Sequence, residues 1–219
     1  MIKIQNVEVF GWEAAIRGMR NPMNSWNQSD SFSGCNGDSC PIDGIFIGRN
    51  DLDLMERLVS AGSDHRKFLR MVNVSLDVVA PLYWWKEYDT YKVGTIADSC
   101  STMHKIHDKE FTFDDFSHEH LSGTAEVALE HVIDILNLNR DLFNASNHKD
   151  KDSWWQMIQL LPSSYNQRRT LQLNYEVLRN IYHARKLHKL DEWRDFCAWI
   201  ESLPYAELIT MKEGALGGK

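Results

Sequence analysis

The sequence predicts an α+β fold in which a small antiparallel sheet is packed with several long helices. In residues 71–80, every second position from Val72 to Val78 is apolar, and this period of two predicts a half-buried strand. Residues 3–10 alternate in the same way. Residues 124–143 instead carry apolar side chains at helical spacing, which predicts the longest helix of the chain.

The remaining elements follow from the same two periods and from residues that end helices. We expect Pro81 at the first position of an aromatic helix that contains Trp84, Trp85 and Tyr88. Gly62 and Pro162 are expected to stop the helices that precede them. The other expected elements are helix 12–19, helix 51–61, helix 153–161 with Trp154 and Trp155 in the core, strand 168–173, helix 174–187 and helix 191–203.

The 219 residues suit one domain, or two small ones that share a core. We expect a single α+β domain over residues 1–213 and a disordered, Gly-rich tail over residues 214–219. Residues 21–50 are rich in Asn, Ser, Gly and Asp. Because this segment is too long for an idle connector in a compact domain, we interpret it as a flexible or functional loop.

Composition excludes several classes of partner. The formal net charge of −7 argues against extended nucleic acid, although a local cluster of Arg and Lys can still bind a small anion. No apolar run approaches the ~20 residues of a membrane helix, and the first residues lack a signal-peptide core, so we expect a cytoplasmic protein without a membrane partner. Cys35 and Cys40 are interpreted as reduced loop cysteines, and no metal site is expected.

A polar run from Thr90 to Thr102 follows the aromatic helix, and it is either a well-capped loop or the lining of a ligand site. Asn174 and Arg185 are expected to share one face of the helix after strand 168–173. An Arg on a partly apolar face needs a partner, which is either an internal acid or a bound phosphate. Cys100 is a candidate nucleophile whose partners would meet it in space.

Two sequence anchors occur here in the order in which the flavin-dependent thymidylate synthases have them. The first is Val78-Val79-Ala80-Pro81 before an aromatic helix, and the second is Leu161-Pro162 followed by Arg168 and Asn174. The chain therefore resembles this family over most of its length. Without gaps, the family signature of Arg-His-Arg, Ser, Asn-Glu, Ser and Arg-Tyr falls on Thr90-Tyr91-Lys92, Thr95, Ala97-Asp98, Cys100 and Thr102-Met103.

The resemblance implies a homotetramer that holds FAD and a nucleotide at shared interfaces. It assigns the small nucleotide ligand to Lys92, Thr95, Asp98, Cys100, Arg168, Asn174 and Arg185. It assigns the flavin to Arg17, His65, Lys67, Arg70 and Asn180.

Four positions depart from the family pattern. Thr90, Tyr91, Thr102 and Glu176 stand where the family has Arg, His, Arg and Arg. Each lost charged hydrogen bond costs roughly 1.5–3 kcal/mol, so we do not expect orthodox thymidylate synthesis. We expect the altered specificity to reside in Tyr91, Lys92, Asp98 and Cys100.

Three functions remain open from the sequence. The first is a nucleotide-binding protein that holds its ligand without converting it, such as a phage or bacterial sponge for a nucleotide-derived signal. The second is a diverged FAD-dependent enzyme of the methyltransferase or oxidoreductase class that acts on a pyrimidine nucleotide, with Cys100 or Tyr91 in the catalytic role. The third is a structural or interaction protein whose polar clusters are paired internally.

Overall fold

The computed structural model describes residues 2–34 and 45–216 and confirms the α+β fold class. A small antiparallel sheet has the strand order β1-β4-β6-β5, and β2 pairs with β3 in a second sheet. In chain order the elements are β1 (Lys3–Phe10), α1 (Trp12–Arg20), β2 (Phe32–Ser33), β3 (Ile45–Phe46), α2 (Arg49–Ser60), β4 (Asn73–Pro81), α3 (Leu82–Tyr88), β5 (Ile96–Ser99), α4 (Thr124–Ala145), α5 (Lys151–Leu160), β6 (Asn166–Asn174), α6 (Tyr175–Arg185), α7 (Asp191–Glu201) and α8 (Glu207–Thr210).

The chain divides into two compact units. The first unit comprises Met1–Ile4, Asp77–Thr90 and Asp98–Thr170, and the second comprises Gln5–Leu76, Tyr91–Ala97 and Leu171–Lys219. The chain passes from one unit to the other within each of the four strands of the larger sheet. Among the described residues, no helix is long and apolar enough to cross a membrane.

The second unit has its core around α6. This helix buries Leu178 and Ile181 completely, and it packs against α7 and α8. The ring of Trp12, at the start of α1, lies 5.2 Å from the rings of both Tyr175 and Tyr205 in edge-on geometry. Edge-on aromatic pairs stabilise a core by more than the burial of their apolar surface alone. Buried side chains of α1 and α6 therefore build this core.

The first unit has two apolar clusters. The helix α4, predicted over residues 124–143, has 22 residues, is the longest helix of the described residues and packs against α5. Their shared core contains Ile106, Phe111, Phe116, Leu129, Ile133, Leu136, Phe143 and Met157. The second cluster belongs to α3, where Trp84, Trp85 and Tyr88 are buried with their ring centroids 4.8–5.4 Å apart.

The prediction that Pro81 opens the aromatic helix is wrong. Pro81 is the last residue of β4 and has extended backbone angles (φ −68°, ψ 151°). The backbone N–H groups of Leu82 and Tyr83 donate to the carbonyl oxygens of Tyr165 and Ser163, each at 3.0 Å. Because these bonds continue the extended conformation, the helix begins one residue later, at Leu82.

The prediction that both tryptophans of α5 lie in the core is wrong for Trp155, whereas Trp154 packs against the edge of the core that α4 and α5 share. Trp155 is 48% exposed, and Trp154 is half-buried with its indole N–H donating to the carbonyl oxygen of Met103. Neighbouring helical positions point about 100° apart, so Trp155 is turned away from the core that Trp154 contacts. Ser153 and Met157, four residues apart, take the buried face instead.

Residues 21–50 contain more structure than their composition predicted. Short 3₁₀ turns occupy Asn21–Met23 and Trp26–Gln28, and the β2–β3 pair and the start of α2 complete the described part. Cys35 and Cys40 lie outside the described residues. At the other end of the chain, the backbone N–H groups of Gly214 and Leu216 donate to the carbonyl and hydroxyl oxygens of Ser60.

Asp51 holds the described part of this segment in place. Its carboxylate is fully buried and accepts hydrogen bonds from the Arg20 Nε at 2.6 Å, the Ser29 hydroxyl at 2.7 Å and the Ser31 hydroxyl at 2.6 Å. Burial raises the pKa of the Asp51 carboxyl. The hydrogen bonds from Ser31, Ser29 and Arg20 together lower that pKa by more than burial raises it, so the net pKa lies below its usual value. The carboxylate is therefore stabilised in its ionised form.

We predict that Asp51→Asn lowers the free energy of unfolding by about 3–5 kcal/mol at pH 7, because it leaves the buried Arg20 without its charge partner. Asp53→Asn, which removes an exposed pair with Arg49, is the control and should cost at most about 1 kcal/mol. Because the pKa of Asp51 is lower in the folded than in the unfolded protein, its carboxylate stabilises the fold at pH values above the unfolded-state pKa. This stabilisation is lost as the pH falls through the folded-state pKa. Urea unfolding of both variants should therefore show the Asp51→Asn deficit shrinking below about pH 4. A deficit equal to that of Asp53→Asn would contradict this role.

Candidate functional site

The structure divides the residues that the resemblance assigns to the nucleotide. Lys92, Thr95, Asn174 and Arg185 belong to the second unit, as does the catalytic candidate Tyr91. The first unit contains Asp98, Cys100 and Arg168. The polar run therefore does not form one continuous loop, since β5 occupies its middle.

In the second unit, Arg185 at the end of α6 lies against two aromatic rings. Its Nε donates to the Tyr91 hydroxyl oxygen at 2.9 Å. Its guanidinium carbon is 5.7 Å from the centroid of the Tyr91 ring and 4.9 Å from that of Trp193. A guanidinium over an aromatic face is attracted by the ring quadrupole. These contacts position Arg185, and they anchor Tyr91 at the start of the segment that leads to β5.

Asn174 serves as the N-cap of α6. Its side-chain oxygen accepts the backbone N–H of Val177 at 3.1 Å, which satisfies one of the helix's unpaired donors. Gly94 passes close by with φ +77°, and a Cβ there would lie 3.1 Å from the Asn174 amide nitrogen. Thr95 donates its hydroxyl to the carbonyl oxygen of Tyr91 at 2.5 Å, while Lys92 is exposed. Here Asn174 and Thr95 stabilise the local backbone.

In the first unit, Arg168 is paired with an internal acid. Its Nη2 lies 2.6 Å from Asp77, whose other carboxylate oxygen accepts the Thr170 hydroxyl at 2.6 Å. Cys100 is exposed, and its backbone N–H donates to the carbonyl oxygen of Arg168 at 2.9 Å. Asp98 is exposed on β5. The Asp77 carboxylate therefore neutralises part of the Arg168 charge that the resemblance assigns to a ligand.

Glu176, which stands where the family has Arg, forms a buried ion pair with Arg66. The Arg66 Nε donates to the Glu176 carboxylate at 2.9 Å, and its Nη2 donates to the other oxygen at 3.1 Å. Arg66 Nη1 contacts Glu213 near the C-terminus. Burial lowers the pKa of Arg66, but the two carboxylates raise it more, so the net pKa lies above its usual value. This position contributes to folding in the second unit.

A cavity of about 430 Å³ in the second unit contains two of the five residues assigned to the flavin, His65 and Lys67. We call it the methionine cavity, because Met19, Met23 and Met71 line it, with Leu54, Leu58 and Phe68 as further apolar walls. Asp64 joins His65 and Lys67 as the charged or polar lining beside Ser25. This volume lies within the roughly 300–1,000 Å³ typical of small-molecule sites, which are mostly apolar with a few polar groups.

The other three residues assigned to the flavin lie elsewhere. Arg17 is exposed, forms an i,i+4 pair with Glu13 at 3.9 Å and lines a cavity of about 210 Å³. Asn180 lines a cavity of about 250 Å³ on the exposed side of α6. Arg70 is exposed at the end of the short 3₁₀ turn, Lys67–Arg70, that precedes β4. Only His65 and Lys67 therefore converge on one cavity.

Sequence reasoning missed most of the methionine cavity. Its apolar walls come from α1, from α2 and from the turn before β4. One signal was present, since α2 buries Met55 and Val59 but also carries Leu54 and Leu58 one position earlier. These two leucines are only half-buried and form a second apolar stripe beside the core stripe.

A larger depression of about 600 Å³ shares Met23, Ser25 and Leu54 with the methionine cavity. Its lining is more polar and includes Asn50 and Arg57. A ligand with an apolar ring and a polar extension could therefore contact both. Among the described residues, no group of three or more His, Cys, Asp or Glu side chains is arranged to hold a metal ion.

Two solved structures, both from Helicobacter pylori, share this fold. One is flavin-dependent thymidylate synthase ThyX complexed with FAD and dUMP, with a TM-score of 0.64, 18% sequence identity and coverage of 94% of this chain and 96% of that one. The other is ThyX with FAD and dUMP, with a TM-score of 0.65, 16% identity and full coverage of both chains. No protein-family model and no curated protein matches the sequence. The similarity establishes a ThyX-like fold.

We predict that Glu176→Arg, which restores the family residue, lowers the free energy of unfolding by at least about 3 kcal/mol. The substitution leaves Arg66 uncompensated and buries a second cation beside it. Glu130→Arg, on the exposed surface of α4, makes the same charge change and should stay within about 0.5 kcal/mol of the wild type. Chemical denaturation measures both, and equal midpoints for the two variants would contradict the structural role of Glu176.

Proposed function

We propose that this chain binds a nucleotide in the methionine cavity and holds it without carrying out orthodox thymidylate synthesis. The observation that carries the proposal is the composition of the cavity wall, in which Met19, Phe68 and Met71 lie together with the cation Lys67. A nucleotide combines a flat ring with an anionic phosphate. Thioether and aromatic side chains pack well against a flat ring, and an ammonium group binds phosphate as a point charge.

The fold supports the same ligand class. Both similar ThyX structures contain FAD and dUMP, at 16–18% identity with this chain. The cavity volume of about 430 Å³ suits a base or a flavin ring, and the adjoining depression with Arg57 suits a polar extension. FAD is therefore a candidate ligand beside a pyrimidine nucleotide. A bound flavin supplies redox chemistry, whereas the role proposed for His65 and Lys67 is to bind and orient it.

Binding without turnover is supported by two internal ion pairs. Arg66 engages Glu176, and Asp77 engages Arg168, so two positions of the family's binding pattern are occupied by protein partners. We therefore favour sequestration of the nucleotide or of a nucleotide-derived signal over its conversion. The proposed assembly is the homotetramer that the resemblance implies, and light scattering after size-exclusion chromatography measures its mass.

We predict that a nucleotide of this class raises the melting temperature of the dialysed protein. At a concentration of about 100 times Kd, a ligand specific for the native state adds about 2.7 kcal/mol to the free energy of unfolding. A panel should include dUMP, dTMP, FMN, FAD and cyclic dinucleotides, each against the matching free base. A melting temperature that ignores the whole panel would refute the proposal.

We further predict that Gly18→Leu abolishes this ligand response and preserves the fold. Gly18 lines the cavity, and a Cβ there would meet only the Met71 side chain, at 3.0 Å from its sulfur. The new side chain fills the cavity, and removing a helical Gly favours α1 by roughly 0.5–1 kcal/mol. Ala14→Leu, on the exposed face of the same helix, is the matched control and should keep the response.

The contribution of Lys67 can be tested by calorimetric titration of the responsive nucleotide. Lys67→Met should weaken binding roughly tenfold or more, because a charged hydrogen bond to phosphate contributes about 1.5–3 kcal/mol. Lys86→Met, an exposed lysine of α3, should leave the affinity unchanged. Unchanged affinity in both Lys67→Met and Gly18→Leu would place the ligand elsewhere.

A further inference from the structure

A second cavity in the second unit, of about 250 Å³, is rich in cationic side chains. We call it the Arg179 cavity, and its lining residues are Arg66, Arg179, Asn180, His183, Lys212 and Glu213. Glu213 is the one carboxylate in that set. The cavity shares no lining residue with the methionine cavity, so the two can be tested separately.

Arg179 is the unusual member of this group. Its side chain is only 3% exposed, and its Nη1 donates to the carbonyl oxygens of Leu208 and Ile209, at 3.4 and 2.9 Å. Its Nε and Nη2 have no hydrogen-bond partner in the part of the chain that the structure describes. A buried guanidinium normally has a carboxylate or another anion as partner, because burying an unpaired charge is costly.

The nearby carboxylates are engaged by another cation. Glu176 and Glu213 both bind Arg66, which is itself buried. Burial and the neighbouring Arg66 lower the pKa of Arg179, and the two carboxylates offset this only in part. The charge of Arg179 is therefore stabilised less completely than that of Arg66.

Two further side chains line the cavity beside Arg179. His183 lies one helical turn after Arg179, and burial together with the nearby Arg179 lowers the pKa of its imidazole, which favours the neutral form. Lys212 is exposed and lines the same cavity. Residues four apart on a helix face the same side, so Arg179 and His183 line one volume, which Lys212 joins from outside the helix.

We propose that the Arg179 cavity is a binding site for a phosphate-class anion, separate from the nucleotide cavity. The Nε and Nη2 of Arg179 form the edge of the guanidinium fork, which matches two oxygens of a tetrahedral oxyanion. Lys212 supplies a further cationic donor at the same cavity, which the His183 ring also lines. The volume lies just below the range of about 300–1,000 Å³ for complete small-molecule ligands, so it suits a single charged group and what is attached to it.

Calorimetric titration of the dialysed, nucleotide-free protein with inorganic phosphate tests this site, with chloride at matched ionic strength as the reference. Phosphate should bind and chloride should not. Lys212→Met should weaken phosphate binding up to about fivefold, as an exposed charge pair does, and Arg179→Met should weaken it roughly tenfold to a hundredfold. Lys189→Met, an exposed lysine outside the cavity, is the matched control.

Glu213→Gln should change the phosphate affinity in the direction opposite to Lys212→Met and Arg179→Met. Glu213 contacts Arg66 and is 58% exposed, so its replacement removes a competing negative charge at the cavity with little effect on folding. Phosphate affinity should rise severalfold. If Arg179→Met does not fold, Lys212→Met and Glu213→Gln decide the outcome. Absence of phosphate binding, or equal affinity in wild type, Lys212→Met and Glu213→Gln, would overturn the proposal.

Discussion

The buried ion pair between Arg66 and Glu176 is the interaction on which the second unit depends. It joins the turn before β4 to the first turn of α6 across 110 residues of sequence, and Glu213 extends it to the C-terminal segment. His65 and Lys67, on either side of Arg66, line the methionine cavity, whereas Arg66 itself lines the Arg179 cavity. One ion pair therefore holds the walls of both proposed sites. Because the pair is buried, either partner alone would leave an uncompensated charge, which constrains both positions together.

Much of the fold was predictable from periodicity. The alternation before Pro81 and the helical spacing in α4 both correspond to elements of the structure, since they reflect which faces are buried. The two-residue strands β2 and β3 and the four-residue β5 were not predicted, because such short segments carry no measurable period. Pro81 shows the limit of local rules, since hydrogen bonds from a distant segment keep it extended.

The candidate site was less predictable than the fold. The family resemblance assigns His65 to the flavin, and His65 does line a cavity. The walls of that cavity, such as Met19 and Leu54, come from segments that are distant in sequence, so no local pattern identifies them. The roles of charged residues are harder still to predict from sequence, because a charged side chain's role depends on which partner it meets in the fold. Glu176 and Arg168 could be read as ligand contacts or as internal pairs, and only the fold brings Arg66 and Asp77 beside them.

Backbone hydrogen exchange directly measures where the ligand binds. The protein is compared alone and saturated with the nucleotide that most raises its melting temperature. We predict slower exchange in residues 16–26, 52–58 and 64–71, which carry the lining of the methionine cavity, with α4 and α5 unchanged. Protection confined to α4 and α5, or no change in the three cavity segments at saturation, would contradict binding of the nucleotide in the methionine cavity.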